Sequence, residues 1–227
     1  QKEYLNEYQL HQQNLIKKNF FYQHRKKNIL ALVQPLPGDL ILDLGCGIGT
    51  VGFILAEKGA RVIGADISLT AIKLAKRLGK ELGIKGLSWV VADVTALPFK
   101  KGKIKKIVAA DLIEHITDDT LKEMFKQSEI ILRPEGLLAI YTPCPTHIFE
   151  WLKKRNIFLK NDPSHIGLRK LNDIYRLLAH LNFKVLRSYY ASSHLPGLKT
   201  VEKILSNVPL LGKWFRRRIC LLVQKKD

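Results

Sequence analysis

The chain reads as an α/β protein, a doubly wound and mostly parallel sheet of seven strands with a helical flank at its N-terminus. Three observations predict this. Seven short, largely apolar runs punctuate the sequence, helical periodicity fills the segments between the early runs, and a glycine-rich turn follows the first run directly.

Residues 1–34 are read as a helical flank or lid, with aromatic residues set among basic ones (Phe20, Phe21, Tyr22, Arg25, Lys26, Lys27), ending at Pro35-Leu36-Pro37-Gly38. Residues 35–227 are read as one domain, because 227 residues with 46% hydrophobic content bury one substantial core. Strands are expected at 40–44, 61–65, 87–92, 104–110 and 136–142, where near-continuous apolar runs suit burial on both faces. Helices are expected at 51–58, 69–82 and 120–132; in the second, Leu69, Ile72, Leu74, Ala75, Leu78 and Leu82 recur at helical spacing. Ser68 is the expected cap of that helix, Asp118 or Asp119 that of the third, and Pro134-Glu135-Gly136 the stop after it. Beyond Pro143-Cys144-Pro145 come an amphipathic basic stretch at 147–160, a helix at 171–181, a strand at 183–190, a segment at 195–215 and a last strand at 218–223.

No apolar stretch approaches the roughly 20 residues of a membrane span, and the opening Gln1-Lys2-Glu3-Tyr4 is too polar for a secretory segment. Cys46, Cys144 and Cys220 lie far apart and form no CxxC pair, so neither a zinc site nor a disulfide framework is indicated. A soluble protein of the reducing cytoplasm is expected. The formal charge of +18 is unevenly placed: residues 151–227 hold 17 Lys and Arg against 4 Asp and Glu, whereas residues 35–150 hold 15 against 14. A field of that sign attracts phosphates, carboxylates, anionic lipid or nucleic acid, or simply keeps a protein in solution.

The most informative stretch is Asp43-Leu44-Gly45-Cys46-Gly47-Ile48-Gly49, a strand end running into glycines before a helix. Glycines permit the tight turn and let main chain approach a ligand. Gly47-x-Gly49-x-x-Gly52, with Asp66 at the end of the second strand, also matches a dinucleotide-binding fingerprint. Asp43 separates the two readings: a carboxylate there repels a pyrophosphate but accepts hydrogen bonds from a cationic amino-acid tail.

The chain resembles the class I S-adenosylmethionine-dependent methyltransferases, in particular the small-molecule branch of ubiquinone and menaquinone biosynthesis. The resemblance covers about residues 20–190 and rests on Leu42-Asp43-Leu44-Gly45-Cys46-Gly47-Ile48-Gly49-Thr50, Val62-Ile63-Gly64-Ala65-Asp66-Ile67-Ser68, and Ala92-Asp93-Val94 with Leu97-Pro98-Phe99. It continues through Asp111-Leu112-Ile113-Glu114-His115-Ile116, Leu132-Arg133-Pro134-Glu135-Gly136 and Thr142-Pro143. It implies the Rossmann-like methyltransferase fold with an antiparallel last strand, and S-adenosylmethionine as cofactor with S-adenosylhomocysteine as product. By the same resemblance Asp43, Gly45, Cys46, Gly47 and Gly49 contact the methionine part, Asp66 and Ile67 the ribose side, Asp93 and Val94 the adenine, and Asp111 completes the cofactor set. The alternative for Asp66 and Asp93 is that they only cap the turns that follow. Segments 143–182 and 195–217 are then acceptor-side insertions.

Methyl transfer from a sulfonium is an in-line displacement in which alignment supplies much of the rate, and no covalent residue is required. For a phenol, acid or amine acceptor a base is needed; His115 is one candidate, its alternative being a backbone hydrogen bond at a strand-to-helix turn. His165, opening His165-Ile166-Gly167-Leu168-Arg169-Lys170-Leu171, is a second, or else a loop-fixing partner. No metal is expected; the alternative set is Asp111, Glu114 and His115, which resembles the ExxEH pattern of the ubiquinone-type enzymes with Asp for the first Glu.

The acceptor is expected to be a small or lipid-like, anionic molecule. Segments 148–160 and 208–218 join apolar and aromatic residues to clustered charge, the composition of peripheral contact with an anionic membrane. Competing readings are an RNA methyltransferase and a non-catalytic S-adenosylmethionine-binding protein. Against RNA base methylation, the fourth strand ends in Asp111-Leu112-Ile113-Glu114 rather than in an Asn/Asp-Pro-Pro-Tyr pattern.

Overall fold

The computed structural model describes residues 20–157, 160, 162–192, 197–206, 208–209 and 211–227. Residues 1–19 of the expected flank, and 158–159, 161, 193–196, 207 and 210 of the expected insertions, lie outside it.

Helix α1 (Phe20–Val33) leads to β1 (Leu40–Leu44), α2 (Thr50–Ala56), β2 (Arg61–Asp66), α3 (Leu69–Glu81), β3 (Leu87–Val91) and β4 (Ile104–Ala110). A 3-10 turn (Ile113–His115), α4 (Asp118–Ile131), β5 (Leu132–Pro143), α5 (Ile148–Lys154), α6 (Leu171–Leu178), β6 (Phe183–Ala191), α7 (Leu198–Leu205), a second 3-10 turn (Gly212–Phe215) and β7 (Arg218–Lys225) follow. The seven strands form one sheet in the order β3-β2-β1-β4-β5-β7-β6. β1 to β5 run parallel, and β7 lies antiparallel between β5 and β6. The seven-stranded, mostly parallel sheet and its antiparallel last strand are as expected.

Side chains alternate across the sheet. Leu42, Leu44, Ile107, Ala109, Leu138 and Ile140 face α4 and α6, packing on Phe125, Met124, Ile174 and Leu178. Ile41, Val62, Val108 and Ala139 face α1 and α2, packing on Ile29, Leu32, Ile54 and Leu55. Helices on both faces leave the C-terminal strand ends as an open edge, and strand order reverses between β1 and β4, where open α/β sheets bind ligands. No described helix is long and apolar enough to cross a membrane.

Two local expectations need correction. The cap of α4 is Thr117, whose hydroxyl accepts from the Thr120 N–H; Asp118 and Asp119 occupy the first turn, where the helix dipole's positive end attracts their negative charge. Pro134-Glu135-Gly136 does not separate helix from strand: α4 ends at Ile131 and β5 starts at Leu132, with Glu135 at φ 57° inside a register shift against β4. Ser68 caps α3 as expected, accepting from the Ala71 N–H at 3.2 Å.

Candidate active site

The turn after β1 is held by main chain. The N–H groups of Gly45 and Cys46 donate to the Ala65 carbonyl at 2.8 and 3.1 Å, tying the turn to β2. Gly45 has φ 64°, and a Cβ on it would lie 2.6 Å from Leu112; Gly49, at φ 89°, would bring a Cβ to 2.4 Å from Trp89. Gly47, at φ 51°, differs, because a Cβ on it would meet nothing within 4 Å. It lines open space.

Asp43 is buried and turns back under the loop to accept the Gly52 N–H at 3.0 Å, fixing the first turn of α2. Burial pushes its carboxyl up to about 7, and the charge of Asp66 adds to this, while Arg25 and the Gly52 N–H oppose it. Asp66 accepts the Gly47 N–H on one oxygen at 2.8 Å and the Ser68 N–H on the other at 2.9 Å. Ile67 beside it is 71% exposed, an apolar plate at the strand end. Asp93 is exposed and accepts both the N–H and the hydroxyl of Thr95 on Oδ1, which hold it below the usual carboxylate range. Val94 is half-buried next to it.

At the end of β4, Asp111 adopts φ 54°, a left-handed conformation that a residue other than glycine rarely takes. Both its oxygens are claimed by arginines: Arg25 Nη2 of α1 at 2.8 Å and Arg218 Nη1, the first residue of β7. Burial works against its ionisation, but the two guanidinium groups outweigh it and hold the carboxyl below its ordinary value. Neither arginine was read from sequence as a residue of the site. Their pairing with Asp111 spans most of the chain and leaves no local signal.

Glu114 is buried and accepts the Thr142 hydroxyl at 2.9 Å. Burial, then the charge of Asp111, pushes its carboxyl up to about 7. His115 is exposed, and its Nδ1 lies 3.2 Å from the Ser164 carbonyl. A carbonyl only accepts, so Nδ1 carries the proton and the neutral ring presents Nε2 as a base. The His165 ring stands edge-to-face to it at 4.9 Å, with Nε2 3.5 Å from Asp162 and Nδ1 4.0 Å from Glu150. Burial lowers the pKa of His165 against the pull of Asp162.

The two histidines meet because Arg169, buried, clips the loop after β4 to the segment after α5. Its guanidinium donates to the carbonyls of Ile113, Ile116 and Gly167 and to the Asp118 carboxylate. One ligand atom each of Glu114, His115 and His165 lie within 4.8 Å of one another, close enough for a metal ion; Asp111, engaged by arginines, stands outside that group. Chemically, the edge joins a main-chain cradle flanked by carboxylates to a pair of imidazoles backed by a buried acid.

The family model described as "Methyltransferase domain" matches residues 41–136. Squalene methyltransferase 1 of Botryococcus braunii is 33% identical over 196 residues, covering 84% of this chain and 48% of its own. Demethylmenaquinone methyltransferase of Lactococcus lactis subsp. lactis is 34% identical over 134 residues, covering 56% and 52%. This chain thus spans about half the length of the curated relatives it matches. Among solved structures, geranyl diphosphate methyltransferase in complex with SAM superposes with a TM-score of 0.66 at 17% identity, covering 88% of this chain and 84% of that one. At that identity the likeness is one of fold.

Proposed function

We propose that the chain is an S-adenosylmethionine-dependent methyltransferase that moves a methyl group from that cofactor to an O, N or C atom of a small or lipid-like acceptor. The observation that carries the reading is the strand-end crevice, where carboxylates at the ends of β1 and β2 and just after β3 surround a glycine with open space above it.

The residues present fit the cofactor. Gly45, Cys46, Gly47 and Gly49 would hold the methionine part through main chain, with Asp43 and the arginine-paired Asp111 beside it. Each Asp66 oxygen accepts one backbone N–H and retains a lone pair for a ribose hydroxyl. Ile67 and Val94 would cover the adenine, and Asp93, whose Oδ1 is taken by Thr95, would accept from its amine through Oδ2. When bound, the cofactor supplies a methyl group on a sulfonium, open to direct displacement.

The chain's own residues align the acceptor and accept its proton. His115 Nε2 is the base we assign, with His165 beside it and Glu114 setting the field beneath. Segments 143–182 and 195–217 form the acceptor side in this reading, and peripheral contact with an anionic membrane belongs to it. The curated relatives' names, with squalene and demethylmenaquinone among the acceptors, support a lipid-like acceptor rather than RNA.

Calorimetry against S-adenosylmethionine and NAD tests the cofactor, with binding of the first alone expected. A screen with labelled S-adenosylmethionine against quinol, isoprenoid, lipid and RNA acceptors tests the rest. Label appearing only in RNA would overturn the acceptor class, and binding without transfer to any acceptor would favour a non-catalytic role.

A further inference from the structure

The pieces that follow β5 and precede β7 form one cap over the acceptor end of the sheet. Buried His147 begins α5: its Nδ1 accepts the Phe149 N–H, which leaves Nε2 to donate to the equally buried Glu202 of α7 at 3.3 Å. The Thr146 hydroxyl donates to the Lys213 carbonyl at 2.7 Å, and Trp151 of α5 meets Trp214 edge-to-face at 6.2 Å. These links bind α5, α7 and the second 3-10 turn to each other.

The outer surface of the cap is apolar and basic together. Ile148, Trp151, Ile157, Val201, Ile204 and Leu211 are all more than a third exposed, Ile204 by 64%. Soluble surfaces rarely gather so much apolar area without a partner. Lys154, Arg155 and Lys213 are exposed among them, and the Arg155 guanidinium lies 4.1 Å over the Trp151 ring. The only acids in residues 146–157 and 197–217 are Glu150 and Glu202, and both are buried. The outward charge is therefore of one sign, complementary to anionic headgroups, with tryptophan and aliphatic side chains to enter the headgroup boundary.

We propose that this cap docks on the surface of an anionic bilayer and that the acceptor enters the site from that surface. Glu150 joins the two regions, lying 4.0 Å from His165 on the catalytic side while ion-paired with Lys153 of α5. An amphiphile with its head at the cap would thus present that head to His115 and His165. This second step rests on the methyl-transfer reading above; the docking itself does not.

Flotation of the full chain with phosphatidylcholine vesicles, and with phosphatidylcholine vesicles containing phosphatidylglycerol, separates the two steps because it needs no cofactor. Binding to the anionic vesicles alone, weakened by salt, is expected. Each Lys or Arg at such a surface contributes about fivefold to binding, so the double variant Lys154→Glu, Arg155→Glu should bind at least about 25-fold more weakly with an unchanged melting temperature. Trp151→Ala should weaken binding to anionic vesicles as well, through lost insertion. Equal binding to both vesicle types, no binding, undiminished binding by the charge variant, or displacement from vesicles by homopolymer RNA would each overturn the docking. Docking without turnover of any vesicle-borne acceptor would leave the cap standing and overturn the entry route.

Discussion

Arg25 Nη2 lies 2.8 Å from Asp111 Oδ2, joining the first described helix to the end of the fourth strand across the ligand edge of the sheet. The same guanidinium holds down the pKa of Asp43. It is therefore the cation that compensates both carboxylates at the edge of the crevice where the proposed cofactor would sit. Arg25→Ala removes one of the two partners that hold Asp111 at the strand end, so the crevice edge loses its fixed shape. Affinity for S-adenosylmethionine should fall about tenfold or more, since hydrogen bonds to charged groups contribute about 1.5–3 kcal/mol. Arg25→Lys should recover part of the loss. Calorimetry on the three proteins checks this, and an alanine variant that binds as tightly as the parent would sink it.

Gly47 and Gly49 are both at positive φ, yet they should respond differently to alanine. At Gly47 the new methyl group meets no protein atom, so stability should drop only by the left-handed penalty of about 1–2 kcal/mol while cofactor affinity falls steeply. At Gly49 the methyl group collides with Trp89, and the melting temperature should fall further. Thermal melts paired with calorimetry separate the two effects. Similar melting losses in both variants would show that the space over Gly47 is not the ligand's.

The strands were legible because burial on both faces writes itself as unbroken apolar runs: 40–44 and 104–110 coincide with β1 and β4. The glycine turn after β1 was legible because its constraints are local, glycines at positive φ next to a strand-end acid. The cap of α4 was misread because Thr117, Asp118 and Asp119 all have capping chemistry and only backbone geometry distinguishes them. The arginines around Asp111 and the clip made by Arg169 were invisible for a different reason. Their partners lie 51 to 107 residues away or are carbonyl groups, and neither leaves a pattern in sequence.

Stability should fall as pH rises through the neutral range because of Asp43 and Glu114. Both are acids whose folded-state pKa, about 7, lies above the ordinary 3.8 and 4.5. Between about pH 4 and 7 the folded chain then binds more protons than the unfolded one, so their contribution is full below the unfolded values and is lost by the time pH passes 7. Glu114→Gln keeps an acceptor for the Thr142 hydroxyl and removes the titration. The variant should be about 1–3 kcal/mol more stable than the parent at pH 8 and indistinguishable near pH 4. Urea unfolding across that range checks it. Parallel curves for the two proteins would mean that Glu114 titrates normally.

Transfer should depend on His115 and not on a divalent ion. Asp111 is committed to Arg25 and Arg218, and Glu114 holds its proton to near neutrality, so among the described residues neither carboxyl is a ready ligand beside the two imidazoles. Once an acceptor is identified, activity is expected to persist in EDTA. His115→Gln should leave cofactor affinity intact and lower kcat by about 10²–10⁴ for an acceptor that must lose a proton. It should change kcat little for an acceptor that loses none. His165→Gln should have the smaller effect, because it touches the base without replacing it, and should shift the pH at which rate rises. Loss of turnover in EDTA, restored by added Mg²⁺ or Zn²⁺, would instead assign Glu114, His115 and His165 to a metal and make the imidazoles ligands.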